Sequence, residues 1–320
     1  MARILARTAG LSRAEWLQAR RQGIGGSDAA IVLGLNPYQS LYGLWLDKTG
    51  QQPLDDGETD AQALGHALED AVARRAASRL GLRIRRRNVI LVHDQLAWMI
   101  ADLDRDIIGA PALMECKTIN PQRWRRAQEQ PGGLPLEWVV QVQHYLAVTG
   151  YATAWLAIYV LGQGLEIRRV DADPDFQAGL IQAEAAFWQL VQRREPPAVD
   201  GSPATVEALS RAWLPVVEET VQILGPEDEE AVRQYRDLGQ EIDRLQAERD
   251  AVGNRLRAHL GPATAGVTPG GWRITWKPQT RRTVDWAWLA TVPGSEAHVT
   301  ITTNRPLKVR PPKEASHGRD

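Results

Sequence analysis

Apolar positions along the chain change their period from segment to segment, and the changes mark out the elements. Over residues 61–80, Leu64, Ala67, Leu68, Ala71 and Val72 recur three and four apart, which predicts a helix with one apolar face. Residues 12–22 read as a shorter helix opened by Ser12, with Glu15 placed to complete a capping box. A glycine-rich turn, Gly23 to Asp28, leads into the apolar run Ala29 to Leu33, and residues 39–48 again read as helical. The pattern then turns strand-like at Val89 to Val92, Trp98 to Leu103 and Ala112 to Thr118, with Gly109-Ala110-Pro111 as the turn between the last two. Residues around Pro121, Pro131, Gly132-Gly133 and Pro135 read as an irregular loop. Beyond it come a helix at 136–149, strands at Ala154 to Val160 and Leu165 to Val170, and a helix at 174–194. Helices and strands in that order predict a mixed α/β domain.

Pro196-Pro197 and Asp200-Gly201-Ser202-Pro203 are turn chemistry, so residues 196–205 are expected to be a linker closing a first domain of residues 1–195. An accessory region of residues 206–304 follows. Within it Val232, Tyr235, Leu238, Ile242, Leu245, Val252, Leu256 and Leu260 approach a heptad spacing, the signature of a long amphipathic helix or coiled coil. A Gly/Pro stretch at 261–271 ends that helix. Trp272, Ile274 and Trp276 then alternate with polar residues as a half-buried strand does. The polar, proline-bearing residues 305–320 are expected to be a disordered tail.

Composition adds exclusions more than identity. The first residues contain no continuous apolar run of the kind a secretion signal needs, and no stretch approaches the ~18 apolar residues of a membrane span, so the reading is cytoplasmic with no membrane contact. A single cysteine, Cys116, excludes a disulfide framework and a cysteine-held iron–sulfur cluster within one chain. The net charge of −1 lacks the basic excess common in nucleic-acid binders. Positive charge is nonetheless bunched at Arg20-Arg21, Arg83 to Arg87 and Arg123 to Arg126, with acidic residues gathered at 55–60 and 227–230.

One constellation carries chemistry. Asp104 is followed eleven positions later by Glu115-Cys116-Lys117. Residues two apart on a strand share a face, so Glu115 and Lys117 would point the same way, and a hairpin turning at Gly109 to Pro111 can bring Asp104 beside them. Two converging carboxylates form an oxygen-rich site for Mg²⁺ or Mn²⁺, and Lys117 could orient a nucleophile or stabilise an anionic transition state. The plain alternative is a surface hairpin with an ion pair. The chain uses 33 Arg and only 5 Lys, so a lysine at this place runs against its own bias, as expected where arginine cannot substitute.

Ordered blocks around that constellation are more specific than the triplet alone: Ile24-Gly25-Gly26-Ser27-Asp28-Ala29-Ala30, Leu64-Gly65 with Leu68-Glu69, Ala101 to Asp104, Leu113 to Thr118, and Gln141 to Tyr145 before Thr149-Gly150. In this order they resemble the YqaJ-type viral recombinases, relatives of lambda exonuclease in the PD-(D/E)xK superfamily, over about residues 12–195. The resemblance implies a restriction-endonuclease-like core, a mixed sheet flanked by helices, with the helical extension and a small β element after it. It implies a metal-dependent exonuclease that digests double-stranded DNA from the 5′ end in phage-type recombination. Asp104, Glu115 and the backbone carbonyl of Cys116 match the metal ligands, and Lys117 matches the catalytic lysine. Glu69 matches an acidic residue acting through water, Gln141 a glutamine near the nucleophilic water, and Arg20 with Ser27 a grip on a terminal 5′-phosphate. Many relatives have glycine after the aspartate where this chain has Arg105, which keeps Asp102 and Asp106 open as substitutes for Asp104. A single-strand annealing protein as partner, a trimeric ring around DNA and a phage or prophage origin in a bacterial cytoplasm are further implications.

Without the resemblance, Glu69, Gln141 and His144 read as ordinary helix-surface residues, and Arg83 to Arg87 as a solvated face. Arg123 to Arg126 could track a DNA backbone. The Trp272/Trp276 stripe reads as core and Cys116 as a small buried apolar residue. Two competing functions stay open: an endonuclease of the same fold, and a catalytically inactive DNA-binding or scaffolding protein built around the long C-terminal helix.

Overall fold

A computed structural model describes residues 2–54, 59–213, 223, 225–284, 299–304 and 307–310, with side chains up to residue 280. Part of the acidic stretch 55–60 and residues 311–320 of the expected tail lie outside them. Two compact units result, Met1–Glu218 and Glu219–Asp320.

The first unit runs β1 (Arg3–Arg7), α1 (Arg13–Arg20), α2 (Gly26–Val32), α3 (Leu41–Lys48), α4 (Asp60–Leu80), β2 (Ile84–Arg85), β3 (Val89–Val92), β4 (Ile100–Asp102), β5 (Arg105–Ile107), β6 (Ala112–Ile119), α5 (Pro121–Gln128), α6 (Leu136–Thr149), β7 (Thr153–Val160), β8 (Gly164–Asp171), α7 (Pro174–Arg193) and α8 (Pro203–Ala212). Its main sheet is five-stranded in the order β2-β5-β6-β7-β8, and β1-β3-β4 form a second sheet of three. Only the central β6–β7 pair of the main sheet is parallel. This is the mixed α/β architecture expected from the sequence.

Alternation along β6 and β7 sorts their side chains between two layers of helix. Leu113, with Ala154, Leu156 and Ile158 of β7, packs in a core that also holds Trp138, Val142, Tyr145 and Leu146 of α6. Ala112 and Met114, with Ala157, pack instead against Val72, Ala73, Ala76 and Ala77 of α4. Glu115 and Lys117 continue the parity of Leu113 and so emerge on the α6 side, while Cys116 joins the α4 side. The buried face of α4 is rotated from the expected one: Leu64, Ala67 and Ala71 are exposed, and small alanines one to two turns later make the contact.

Several expectations are corrected. The strand expected over Trp98 to Leu103 is shorter, because β4 pairs with β3 and the chain then crosses to the other sheet, where β5 pairs with β6. The expected loop after Pro121 begins with α5: Asn120 caps it and Pro121 sits in its first turn, where a missing N–H costs nothing. The same arrangement, Ser202 as cap and Pro203 next, starts α8 inside the expected linker, and Ala208 packs in a core with Leu44 and Trp45 of α3. The first unit therefore runs past residue 195 to Glu218.

The second unit holds α9 (Pro226–Leu260), a three-stranded antiparallel sheet of β9 (Ala265–Val267), β10 (Arg273–Trp276) and β13 (Leu307–Arg310), and the pair β11 (Gln279–Val284) and β12 (Val299–Asn304). The long helix and the Trp272–Trp276 strand are where the apolar pattern placed them, and Ile274 is the buried member of the stripe. Leu307–Arg310, expected to be disordered, pairs in register with β10 from Arg273↔Arg310 to Trp276↔Leu307.

Leu113 is fully buried between β6 and α6. Leu113→Ala should cost about 2–5 kcal/mol in urea unfolding, the range for truncating a packed core leucine, whereas Leu64→Ala on exposed α4 should change stability by less than about 0.5 kcal/mol. A comparable loss at both positions would contradict the layer assignment.

Candidate active site

The α6 side of β6 places Glu115 and Lys117 beside Gln141 of α6. Lys117 Nζ donates to Glu115 Oε1 at 2.8 Å and to Gln141 Oε1 at 2.8 Å, and Gln141 Nε2 donates to Glu115 Oε1 at 2.7 Å. Three groups thus close a ring of hydrogen bonds. Glu115 Oε2 is buried with no hydrogen-bond partner. Burial pushes the Glu115 carboxyl up despite the pull of the Lys117 ammonium. Lys117 itself is raised, because Glu115 and Asp104 outweigh the burial that would lower it, so the lysine is an ammonium ion at neutral pH.

Asp104 sits between β4 and β5, opposite Glu115, and its Oδ2 accepts the backbone N–H of Cys116 at 2.7 Å. Burial, then the charges of Glu115 and Glu69, push Asp104 well above the usual carboxylate range. Of the competing aspartates, Asp106 is committed elsewhere, whereas Asp102 lies close enough for its charge to raise Glu115. Asp106 is paired with Arg85 and Arg87, each at 3.3 Å, and accepts from the Tyr151 hydroxyl at 3.3 Å. Asp102 accepts from Trp16 Nε1 at 2.8 Å and is raised by burial.

The glycine turn joins this group through backbone. Ile24 N–H donates to Trp98 O at 2.7 Å and Ile100 N–H donates to Ile24 O at 2.9 Å, which ties the turn to the strand leading into Asp102 and Asp104. Gly26 is needed for closeness rather than for a special φ: a Cβ there would lie 2.5 Å from Tyr145 Cε1 and 2.8 Å from Gln141 Cγ. Arg20 Nη2 donates to the exposed Ser27 Oγ at 2.7 Å, so the two residues read as a phosphate grip do meet. Trp16 stacks under Arg20, whose guanidinium carbon is 4.8 Å from the ring centroid. Below the turn, Asp28 Oδ2 pairs with the buried Lys48 Nζ at 2.7 Å and accepts Gly25 N–H at 2.9 Å, while Lys48 also donates to Arg20 O at 3.0 Å. Burial would raise Asp28, but Lys48 and Arg20 hold it below the usual range.

The donor set fits a hard divalent cation. It offers oxygen only, an unpartnered buried carboxylate oxygen, and two carboxylates whose mutual repulsion a cation would relieve. Among the described residues no three His, Cys, Asp or Glu side chains gather as a ready cage. Asp104 and Glu115 therefore suit an ion that completes its shell with water, backbone carbonyl or substrate, as Mg²⁺ does.

Residues 15–152 match the YqaJ-like viral recombinase domain. The YqaJ protein of Bacillus subtilis (strain 168) is 34% identical over 287 residues, covering 89% of this chain and 89% of its own length. The chain belongs to the YqaJ-like viral recombinase family. Among solved structures, LHK-Exo in complex with dAMP is similar at a TM-score of 0.49 and 19% identity, over 57% of this chain and 93% of its own. The alkaline exonuclease LHK-Exo from Laribacter hongkongensis gives 0.48 and 18% over 57% and 93%, and a phage-related exonuclease from Haemophilus somnus 129PT gives 0.39 and 10% over 54% and 96%. The residues of the YqaJ-like match include Arg20, Ser27, Asp28, Lys48, Glu69, Asp104, Glu115, Lys117, Gln141 and Tyr145.

In this YqaJ-family chain Glu69 stands near the carboxylates, but its Oε1 accepts from Arg105 Nη1 at 2.6 Å and Arg86 Nη2 at 2.5 Å. Arg105 is thereby buried and paired with Glu69 and Asp70. Gln141 and His144 are not helix-surface residues. His144 is fully buried, its Nδ1 2.8 Å from Glu184 Oε1 of α7 and its Nε2 2.9 Å from Ile100 O. Both partners are oxygens, so a protonated ring can donate to each of them. Tyr145, Lys48 and Glu184 were missed in the sequence; for Lys48 the signal was there, since it is another lysine in a chain that prefers arginine.

Gly26→Ala should lower stability by about 1–3 kcal/mol through overpacking and displace Gln141 from Lys117, whereas Gly179→Ala on α7, with open space at its Cβ, should be neutral or slightly stabilising. Equal effects in urea unfolding would refute the close approach at Gly26. His144 supplies a pH dependence. Its folded pKa is raised: burial lowers it, but the Glu184 carboxylate and the Ile100 carbonyl more than compensate. Its stabilisation is fully present below about pH 6.5, the unfolded value, and is lost as pH rises through the folded value. The stability difference between wild type and His144→Gln should therefore shrink from about pH 6 to pH 9. A difference that stays flat across that range would count against the charged pair.

Proposed function

We propose that this chain is a divalent-metal-dependent deoxyribonuclease that digests duplex DNA from an end, with 5′ to 3′ polarity. The observation that carries the reading is the buried, unpartnered Glu115 Oε2 beside Asp104, held on one edge by the Lys117–Gln141 ring. A buried carboxylate pair raised by mutual repulsion is costly unless a cation joins it. Family membership supports a role in recombination of viral type.

Asp104, Glu115 and the Cys116 carbonyl would hold Mg²⁺, or Mn²⁺ in its place. The ion, when bound, supplies positive charge to phosphate oxygens and acidifies water. Lys117, which donates to Glu115 and Gln141, would fix Glu115 and stabilise the anionic phosphate. Gln141 holds both partners; its Nε2 donates to Glu115 and the Tyr145 hydroxyl, and its Oε1 has a second lone pair with which to orient the attacking water. Arg20 and Ser27 would receive the 5′-phosphate of the chain end, a guanidinium and a hydroxyl suited to a dianion. Glu69 is held by Arg86 and Arg105 and serves here mainly to set the charge around Asp104.

The test is cleavage of end-labelled linear and closed-circular duplex with Mg²⁺ or EDTA. Linear duplex should be digested, circles spared, and 5′-phosphorylated ends preferred over 5′-hydroxyl ends, with Arg20→Ala removing that preference. Asp104→Asn, Glu115→Gln and Lys117→Arg should each cost about a hundredfold or more in rate. Substantial activity in both carboxylate variants overturns the metal site, wild-type rates from Lys117→Arg make the triplet structural, and equal cutting of circles overturns the exonuclease reading.

A further inference from the structure

The second unit presents an unpartnered helix face. Of the residues of α9, only Gly253 is buried. Val232, Tyr235, Leu238, Ile242, Leu245 and Val252 are all exposed, Tyr235 at 83% and Ile242 at 65%. From Tyr235 the spacing is that of two seam positions per heptad: Tyr235, Leu238, Ile242, Leu245, Arg249, Val252, Leu256. An apolar stripe in water on a helix roughly 50 Å long is costly to leave uncovered.

We propose that α9 pairs with α9 of a second copy of this chain as an antiparallel coiled coil centred near Ala247. Charge and shape along the stripe select both the occupant and the direction. A parallel pair in register would set Arg249 against its own copy inside the seam, two like charges with no relief. Antiparallel pairing about Ala247 sets Arg249 beside Leu245 of the other copy, where its aliphatic stem covers the leucine and its guanidinium reaches Glu248. The same register places Leu238 on Leu256 and Ile242 on Val252, so aliphatic meets aliphatic. On one flank Glu241 of each copy meets Arg255 of the other. The stripe thus pairs with itself in the antiparallel sense over about four heptads, from Gln234 to Leu260, and at its centre the two Glu248 carboxylates meet with an Arg249 guanidinium beside each. Within one helix Arg233 pairs with Glu229, and Arg244 with Glu241 and Glu248, so in the pairing Glu241 and Glu248 are shared between Arg244 of their own helix and the arginines of the other copy. The pairing is independent of the nuclease reading, because it uses no residue of the first unit.

The experiment is light scattering on the full chain with seam and flank variants. Ile242→Asp with Leu245→Asp alters two exposed side chains and should halve the mass of particles joined through α9. Arg255→Glu should weaken the association about tenfold, and adding Glu241→Arg should restore it. Direction is read by cross-linking in a Cys116→Ser background. Glu248→Cys lies next to its own copy at the antiparallel centre and should form a covalent dimer on mild oxidation. Ile242→Cys faces Val252 and should not. A mass unchanged by the double aspartate variant overturns the pairing and leaves the stripe to a different partner. Cross-linking through Ile242→Cys instead of Glu248→Cys overturns the antiparallel direction.

Discussion

Everything in the first unit is arranged around the burial of one carboxylate. Glu115 lies in the middle of the main sheet, on a strand whose preceding members Ala112, Leu113 and Met114 are apolar and buried, and ionising it there is expensive. One of its oxygens is satisfied by Lys117 and Gln141, and the other is left open toward Asp104. A fold that wanted only stability would replace this group with a hydrophobe, since buried ion pairs seldom repay their desolvation. Keeping it requires a parallel β6–β7 pair to hold the strand rigid, α6 to bring Gln141 over it, and a glycine at position 26 so that the turn can press against α6.

The consequence is a line of contact from the carboxylates to the surface. Asp104 is fixed by the Cys116 amide, Asp102 two residues before it by Trp16, and Trp16 lies under Arg20, which reaches Ser27. The Arg20–Ser27 pair and the Asp104–Glu115 pair thus share one frame, and displacement of the glycine turn would be felt at both. The His144–Glu184 pair locks the same frame from below, since His144 also holds the carbonyl of Ile100 on β4.

Much of this was legible in the sequence because it is local. The capping box at Ser12 and Glu15, the alternation of β6 and the stripe of α9 each depend on neighbours a few residues away. What was hidden depends on distant partners. Trp98 to Leu103 reads as one strand, but the chain there passes between two sheets, and only the pairing of β4 with β3 and of β5 with β6 reveals the break at Asp104. Leu307–Arg310 has a polar, tail-like composition and becomes a strand only because β10 offers an edge. Pro121 and Pro203 were misleading for a different reason: proline ends a helix in its interior but starts one when an Asn or Ser cap precedes it. In the candidate site the residues Asp104, Glu115, Lys117 and Gln141 converge as the spacing and the resemblance anticipated. The fastening of Glu69 by two arginines could not be read, since Arg105 and Arg86 reach it only through the fold.

Lysine usage connects these points. Of the 5 lysines in the chain, Lys48 and Lys117 are the ones drawn into ion pairs with carboxylates of the site and the turn. Both make several contacts with a single nitrogen: Lys48 to Asp28 and to the Arg20 carbonyl, Lys117 to Glu115 and Gln141. A guanidinium spreads its donors over a plane and could not put one point of charge among converging oxygens in so small a volume. Arginine serves instead where the carboxylate is approached from outside or along a broad face, as at Asp106 and Glu69. The choice between the two cations therefore follows the space around each carboxylate. In a chain this strongly biased toward arginine, a lysine beside an acidic motif is a sequence-level sign of a carboxylate gripped from within.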